Sequence, residues 1–220
     1  HVLFDAPESA IAECNVNFRY AERLFIVLGS FRAASFTELF DGTASLPWEK
    51  YITQNAAFPV KGHCVRSKLF SVPDCQRIIK KAVVERLKSK YRVSYFEETA
   101  EKYQVVFFIL KDTAYLMLDT TGDALHKRGY RPESNLAPLR ETLAAALVTF
   151  SRPRSDVIFV DPMCGSGTIA IEAALIDRHI APGINRGFAA EEFTFLDRRI
   201  LDDAREKARS LIAPAQRRIF

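Results

Sequence analysis

The 220 residues (24.9 kDa) are 48% apolar and 26% charged with a mean hydropathy of −0.05, which excludes a disordered or fibrous chain. No apolar run approaches the ~18 residues needed to span a bilayer, and HVLFDAPESA has neither a basic nor an apolar signal region, so neither a spanning helix nor a signal peptide is expected in these residues. The net charge of +4 and pI of about 8.9 are only mildly basic, as compatible with a neutral substrate as with a nucleic acid.

The chain opens on His1 in a strand-like VLF, as a piece of a longer protein would. Residues 2–4 are predicted as a strand fragment, DAPE as a turn, and the following stretch to about residue 21 as a helix. RLFIVLGS (23–30) reads as a short buried strand, so residues 1–30 look like the second half of a small α+β unit. Thr37 is a candidate N-cap for a helix over 37–46 that turns Phe36, Leu39 and Phe40 inward. Two strands are expected at 58–63 and 65–70, split by a glycine-containing turn.

SVPD then opens a helix over 75–88, with Ile78, Ile79, Ala82, Val83 and Leu87 at helical spacing opposite Lys80, Lys81, Arg86 and Lys88. Lysines on such a helix usually form a solvated face. Strands follow at 93–96 and 105–110, and Lys111-Asp112 turns the chain into a hairpin partner at 114–119. Residues 31–121 thus read as a second α+β unit rich in antiparallel strands.

The pattern changes at residue 122. GDALHKRGYRPESN (122–135) is a polar, basic connecting segment, and 137–150 is an alanine-rich helix. SRPRSD then leads to the strand VIFVD and the string FVDPMCGSGTIAIEAALI (159–176), whose second half is helical. A strand followed by a helix is the pattern of a parallel α/β sheet. An amphipathic helix over 196–212 comes next, through Leu196, Ile200, Ala204, Ala208 and Leu211, and RRIF (217–220) starts a further strand. Cys14, Cys64, Cys75 and Cys164 contain no CxxC pair and lie near no histidine at ligand spacing, so no metal site is expected. Reduced thiols in a cytoplasmic protein are.

Three ligands are candidates for the glycine turn. A phosphate-gripping loop needs a lysine after its second glycine, and here Thr168 and Ile169 follow Gly167. A dinucleotide fingerprint wants a third glycine where this chain has Ala170, a substitution sometimes accepted, so NAD or FAD stays open. S-adenosylmethionine fits better. Asp161 at the strand tip suits the ammonium of the methionine half. Gly165 and Gly167 allow close backbone approach, and the N–H groups of the following helix suit polar or anionic groups. A plain glycine turn joining any strand to any helix is the competing structural reading.

The whole string DPMCGSGTIAIEAALI resembles motif I of class I methyltransferases, in the form found in THUMP-containing RNA methyltransferases. WEKYI (48–52), SVPDCQRIIKKAVVERL (71–87), LDTTGDALHKRGYR (118–131), APLRETLAAAL (137–147) and APGINRGFAAEEF (181–193) resemble the same family, in family order. These are the bacterial enzymes related to 23S rRNA guanine-N2 methyltransferases, often labelled N6-adenine-specific DNA methylases. The resemblance implies a mixed α/β and α+β chain: a ferredoxin-like/THUMP region followed by the first strand–helix units of a Rossmann-like methyltransferase domain. It divides the chain into the end of a ferredoxin-like unit (1–30), a THUMP RNA-binding domain (31–121), a basic connector and helix (122–150) and a methyltransferase start (151–220).

The implied cofactor is S-adenosylmethionine, held by Asp161, Pro162, Met163, Cys164, Gly165, Ser166, Gly167 and Thr168. Pro138 and Thr142 are carried over from the helix that precedes motif I in the family. The implied partner is RNA, with 23S rRNA foremost, and no membrane. In HKRGYR, Lys127, Arg128 and Arg131 offer phosphate contacts and Tyr130 a ring for stacking, against the alternative of a solvated linker. His63 and His126 are structural or RNA-facing rather than catalytic. Glu172, among apolar neighbours, either pairs with a basic residue or helps to order the site.

Two parts of a complete site have no counterpart in these residues. Glu191 and Glu192 follow motif I at the spacing of a ribose-binding carboxylate, but no predicted strand precedes them, and no NPPY-like string occurs. The catalytic residues are therefore expected beyond Phe220, and the 220 residues alone are expected to be inactive. Methylation of DNA adenine, or an RNA-binding protein with a vestigial methyltransferase domain, are the alternative functions.

Overall fold

The computed structural model describes residues 2–130, 139–152 and 157–220. Arg131 and Pro138 lie outside the described residues. Contacts divide the chain into two units: a sheet unit of Phe25–Gly122 with Glu192–Leu196, and a glycine-loop unit of His1–Leu24, Asp123–Glu191 and Asp197–Phe220.

The sheet unit is organised by the predicted hairpin. β3 (Val105–Leu110) and β4 (Thr113–Asp119) pair antiparallel around Lys111 and Asp112, both at positive φ (49° and 59°), as a two-residue turn matched to strand twist requires. Val105, Phe107, Ile109, Ala114, Leu116 and Leu118 are buried, the alternation of a half-buried sheet. β1 (Phe25–Arg32) joins the far side of β4 antiparallel, with a register shift between Val27 and Gly29. This strand, read from sequence as the close of a preceding unit, belongs to the same sheet as β3 and β4. β2 (Val60–Val65) lies parallel to β3, giving the mixed order β1-β4-β3-β2.

The unit is rich in antiparallel strands, as expected, and β2 alone pairs parallel, because a helical crossover joins it to β3. That crossover is α3 (Val72–Tyr91), with Pro73 in its first turn and Arg92 left-handed at its end. The two strands expected at 58–63 and 65–70 are one. Gly62 sits within it rather than in a turn, since a Cβ there would lie 2.2 Å from the Phe107 carbonyl oxygen. The strand expected at 93–96 does not form. Phe96 instead packs edge-on against Phe58, with ring centroids 5.9 Å apart.

α2 (Phe36–Ser45) is capped by Ser35, not Thr37. The Ser35 hydroxyl accepts from Glu38 N at 3.2 Å, while the Glu38 carboxylate accepts from Ala34 N at 2.6 Å. This arrangement, a capping box with Glu38 reaching one residue beyond the cap, sets the cap two residues and the helix one residue early and leaves Phe36 42% exposed. α2 packs on α3, and Trp48 is fully buried beside them with its indole N–H donating to Thr43 O at 2.7 Å. Residues 192–196 complete this core. Phe193 stacks on Tyr103 at 4.8 Å, Phe195 meets Tyr51 edge-on at 5.1 Å, and Thr194 N donates to the Tyr103 hydroxyl at 3.1 Å. Burying a phenylalanine side chain in this way contributes about 2–3 kcal/mol. Cys64 and Cys75, eleven residues apart, come within 3.8 Å; burial, then Cys64, pushes the Cys75 thiol up to about 12.

In the glycine-loop unit α1 (Ser9–Asn17) packs on α6 (Arg199–Ser210), and α4 (Glu141–Ser151) on α5 (Thr168–Asp177). The alanines Ala144, Ala145 and Ala173 are buried. α1 stops short of residue 21, and residues 2–4 are exposed coil rather than a strand. α6 is shorter than 196–212 because Leu196 belongs to the sheet unit's core and Leu211 is exposed. The expected parallel α/β sheet is present as one bridge, Phe159 to Ile219, which places VIFVD beside RRIF. No helix among the described residues is long and apolar enough to cross a membrane.

Candidate cofactor-binding site

The bridge fixes the approach to the glycine turn. Phe159 N donates to Arg218 O at 3.0 Å, Phe220 N to Phe159 O at 3.0 Å, and Asp161 N to Phe220 O at 2.8 Å. Asp161 therefore stands at the tip of a hydrogen-bonded strand, and its Oδ1 accepts from Met163 N at 3.3 Å. Pro162, Met163, Cys164, Gly165 and Ser166 are exposed, Met163 by 89%. Gly167 N closes the turn onto Cys164 O at 2.7 Å, and α5 begins at Thr168, whose buried hydroxyl lies 3.3 Å from the Ser166 hydroxyl.

Gly165 and Gly167 have φ of 54° and 72°, the left-handed region that favours glycine. A Cβ added at either would meet its nearest protein atom at 4.0 Å and 3.9 Å, ordinary contact distances. Backbone conformation, not crowding by the protein, therefore accounts for both glycines, and the space beside the turn is open to a ligand. The eight residues read from sequence as the loop are brought together as one strand–turn–helix feature.

Other expectations fall differently. Thr142 is buried in the first turn of α4, where its hydroxyl donates to Glu22 Oε1 at 3.1 Å. Lys127 is exposed and paired with Asp123 at 3.1 Å. Arg128 is not available to RNA, which corrects its assignment as a phosphate contact. Its side chain is 2% exposed, and it donates to the carbonyls of Leu125, Phe18 and Arg19 and to Glu172 Oε1 at 3.4 Å. An arginine reads as a basic patch in sequence, and only the fold reveals that its charge is spent internally. Tyr130 is half-buried and donates its hydroxyl to the same Glu172 oxygen at 3.1 Å.

Of the two readings left open for Glu172, pairing is realised. The carboxylate is fully buried, faces Arg19 at 3.6 Å and Arg128 at 3.4 Å, and its pKa is pushed up by burial while both arginines hold it down. His126 is structural: its Nδ1 lies 2.8 Å from Glu22 Oε2. Glu191 sits in a 3-10 turn (Ala189–Glu192) and pairs with Arg205, away from any strand end.

Sequence reading passed over three anchors of the site. Asp177, at the end of α5, accepts from Gln216 N at 2.8 Å and Arg217 N at 3.2 Å, holding RRIF beside VIFVD. Arg19 reaches both Glu172 and, at 2.7 Å, Ile180 O. Glu22 is the third. An acidic residue closing a mostly apolar helix is a visible signal for Asp177; Arg19 and Glu22 carry none. A groove of about 810 Å³ lined by Arg186, Glu191, Asp202 and Arg205 is mixed in charge and internally paired, so it does not compete with the glycine turn. Among the described residues no group of three or more histidine, cysteine or acidic side chains is placed to hold a metal.

Comparison with known proteins follows the same division. Residues 128–218 match the RMKL-like methyltransferase domain and residues 33–119 match the THUMP domain. YpsC of Bacillus subtilis (strain 168), provisionally named an RNA methyltransferase, is 48% identical over 206 residues, covering 93% of this chain and 54% of that protein. A ribosomal RNA large subunit methyltransferase K/L from Syntrophotalea carbinolica is 39% identical over 181 residues, covering 78% of this chain and 25% of that enzyme. The crystal structure of SMU.472 complexed with SAH superposes with a TM-score of 0.86 at 43% identity, covering 93% of this chain and 54% of that one. The chain spans about half the length of YpsC and of SMU.472.

Proposed function

From the premise that this chain belongs to the THUMP-containing, RMKL-like methyltransferase family, we propose that the whole protein transfers a methyl group from S-adenosylmethionine to an exocyclic base amine of RNA. The likeness to a ribosomal RNA large subunit methyltransferase supports large-subunit rRNA as the substrate, and guanine-N2 as the target and the cytoplasm as the location are proposed with it. The observation that carries the cofactor reading is the turn itself: two glycines at positive φ, open to a ligand, between an acid-tipped strand and a helix N-terminus.

Asp161 is placed to bind the cofactor's ammonium group, directly or through water. The N–H groups at the start of α5 orient polar groups laid across the turn. Ser166 and Thr168 add hydroxyls at the turn's edge, and exposed Met163 and Cys164 supply a soft rim. Bound there, S-adenosylmethionine supplies an electrophilic methyl for in-line attack by a base amine, a reaction governed by positioning. The target base is presented unstacked, as chemistry on a base edge requires. We place the amine-binding motif in the part of the relatives that this chain does not span, so the 220 residues alone bind RNA without turnover. The division of the chain at 121 and 150 is proposed with it, as are contacts of RNA with Lys127, Tyr130 and Arg131 and of the cofactor with Pro138 and Thr142, whereas a boundary at 30 is ruled out by β1, which runs through it.

The test is incubation of the full-length protein with methyl-labelled S-adenosylmethionine and either ribosomal RNA or duplex DNA. Label entering RNA, and lost in Gly165→Val, supports the proposal. Label entering DNA adenine instead sinks it, because the THUMP domain would then not be selecting RNA.

A further inference from the structure

Glu22 lies outside both regions that match known domains, 33–119 and 128–218. It nevertheless touches the elements that flank the glycine turn. One carboxylate oxygen accepts the Thr142 hydroxyl at 3.1 Å and faces Arg140 at 3.6 Å; the other lies 2.8 Å from His126 Nδ1. Its carbonyl accepts from Leu125 N at 2.8 Å. Arg140, at the N-cap position of α4, makes no side-chain cap, and the first turn carries its own acid, Glu141. A carboxylate brought there from a distant part of the chain meets the positive end of the helix dipole.

The neighbouring residues extend the hold. The Tyr20 hydroxyl lies 2.7 Å from the Thr149 hydroxyl, near the other end of α4. Thr142 and Thr149 are seven residues apart, about 10 Å along the axis, so residues 20–22 fix α4 at two points and set its slide and rotation. α4 packs directly on α5, whose N-terminus forms the far side of the glycine turn. Hydrogen bonds from His126 and Thr142, opposing the effect of partial burial, hold the Glu22 carboxyl below its ordinary range, which keeps it ionised in this role.

We propose that Glu22 is a positioning residue for the cofactor site, setting α4 and the Thr142 side chain against α5 without itself touching the ligand. This rests on the reading of the turn as a cofactor site. Glu22 is partly exposed, so its removal leaves the fold standing. The experiment is calorimetric titration of the full-length protein with S-adenosylhomocysteine, for wild type, Glu22→Ala, Glu22→Gln, Thr142→Val and Glu22→Ala/Thr142→Val, each with a melting curve. Glu22→Ala is expected to weaken binding about fivefold to tenfold, within the range by which residues that touch no ligand shift an affinity. Glu22→Gln, still able to accept from Thr142, recovers most of it, and the double variant is less than additive. Binding by Glu22→Ala within twofold of wild type overturns the proposal, whatever its melting temperature, since a stability role alone moves only the melting curve. Equal weakening in Glu22→Gln also overturns it. Wild type that fails to bind overturns the cofactor reading itself, a result distinct from the other two.

Discussion

Gly167→Ala separates the backbone demand of the turn from its demand for ligand space. The residue has φ of 72°, and an alanine Cβ would find Ile171 Cδ1 at 3.9 Å, so no protein clash arises. The stability cost is therefore the left-handed backbone term alone, about 1–2 kcal/mol. For a domain of this size that lowers the melting temperature by roughly 2–8 °C, and the protein stays folded. Binding responds more strongly, because the new methyl group projects at the start of α5, or the backbone relaxes and re-aims the helix N–H groups. The expected outcome is a loss of S-adenosylhomocysteine affinity of at least about tenfold, or 1.4 kcal/mol, in calorimetry on the full-length protein. A variant that melts a few degrees low yet binds within twofold of wild type would show that the glycine serves only the turn, and the cofactor assignment would fail.

Glu172→Ala leaves the buried Arg128 guanidinium without its carboxylate and is expected to cost about 3–5 kcal/mol in urea unfolding; a cost below 1 kcal/mol contradicts the hub described around that residue. Hydrogen bonds from Arg86 hold the Glu49 carboxyl at about 2, below its ordinary 4.5, so its stabilisation is complete above pH 4.5 and is lost as the pH falls toward 2. For this partly exposed pair the difference between wild type and Glu49→Gln is about 1 kcal/mol at neutral pH, vanishing at the acid end of an unfolding series. Gly62→Ala forces a Cβ to within 2.2 Å of the Phe107 carbonyl and is expected to destabilise the β2–β3 pair by about 1–3 kcal/mol, measurable as earlier hydrogen exchange in those strands.

The elements most legible in sequence are those whose signal is local. Lys111-Asp112 between two apolar runs gives the β3–β4 hairpin, and DPMCGSGT before an alanine-rich stretch gives the turn and α5 almost to the residue. The misreadings share a cause: pairing partners far along the chain. β2 lies parallel to β3 only because α3 crosses over, Gly62 serves a strand contact rather than a turn, and 93–96 finds no partner. The same holds for charge. Arg128 reads as a surface cation and is buried on a carboxylate 44 residues away, while Glu22 reads as nothing and reaches Thr142 across 120. Composition and spacing report which residues are present; which charges cancel is decided by the tertiary fold.

The central claim, methylation of a ribosomal RNA base by the full-length protein, is tested most directly by mass spectrometry of 23S rRNA nucleosides from a strain lacking the whole gene. The account predicts loss of an N2-methylguanosine, restored by the wild-type gene and not by one carrying Gly165→Val. An unchanged nucleoside profile in the deletion strain contradicts it.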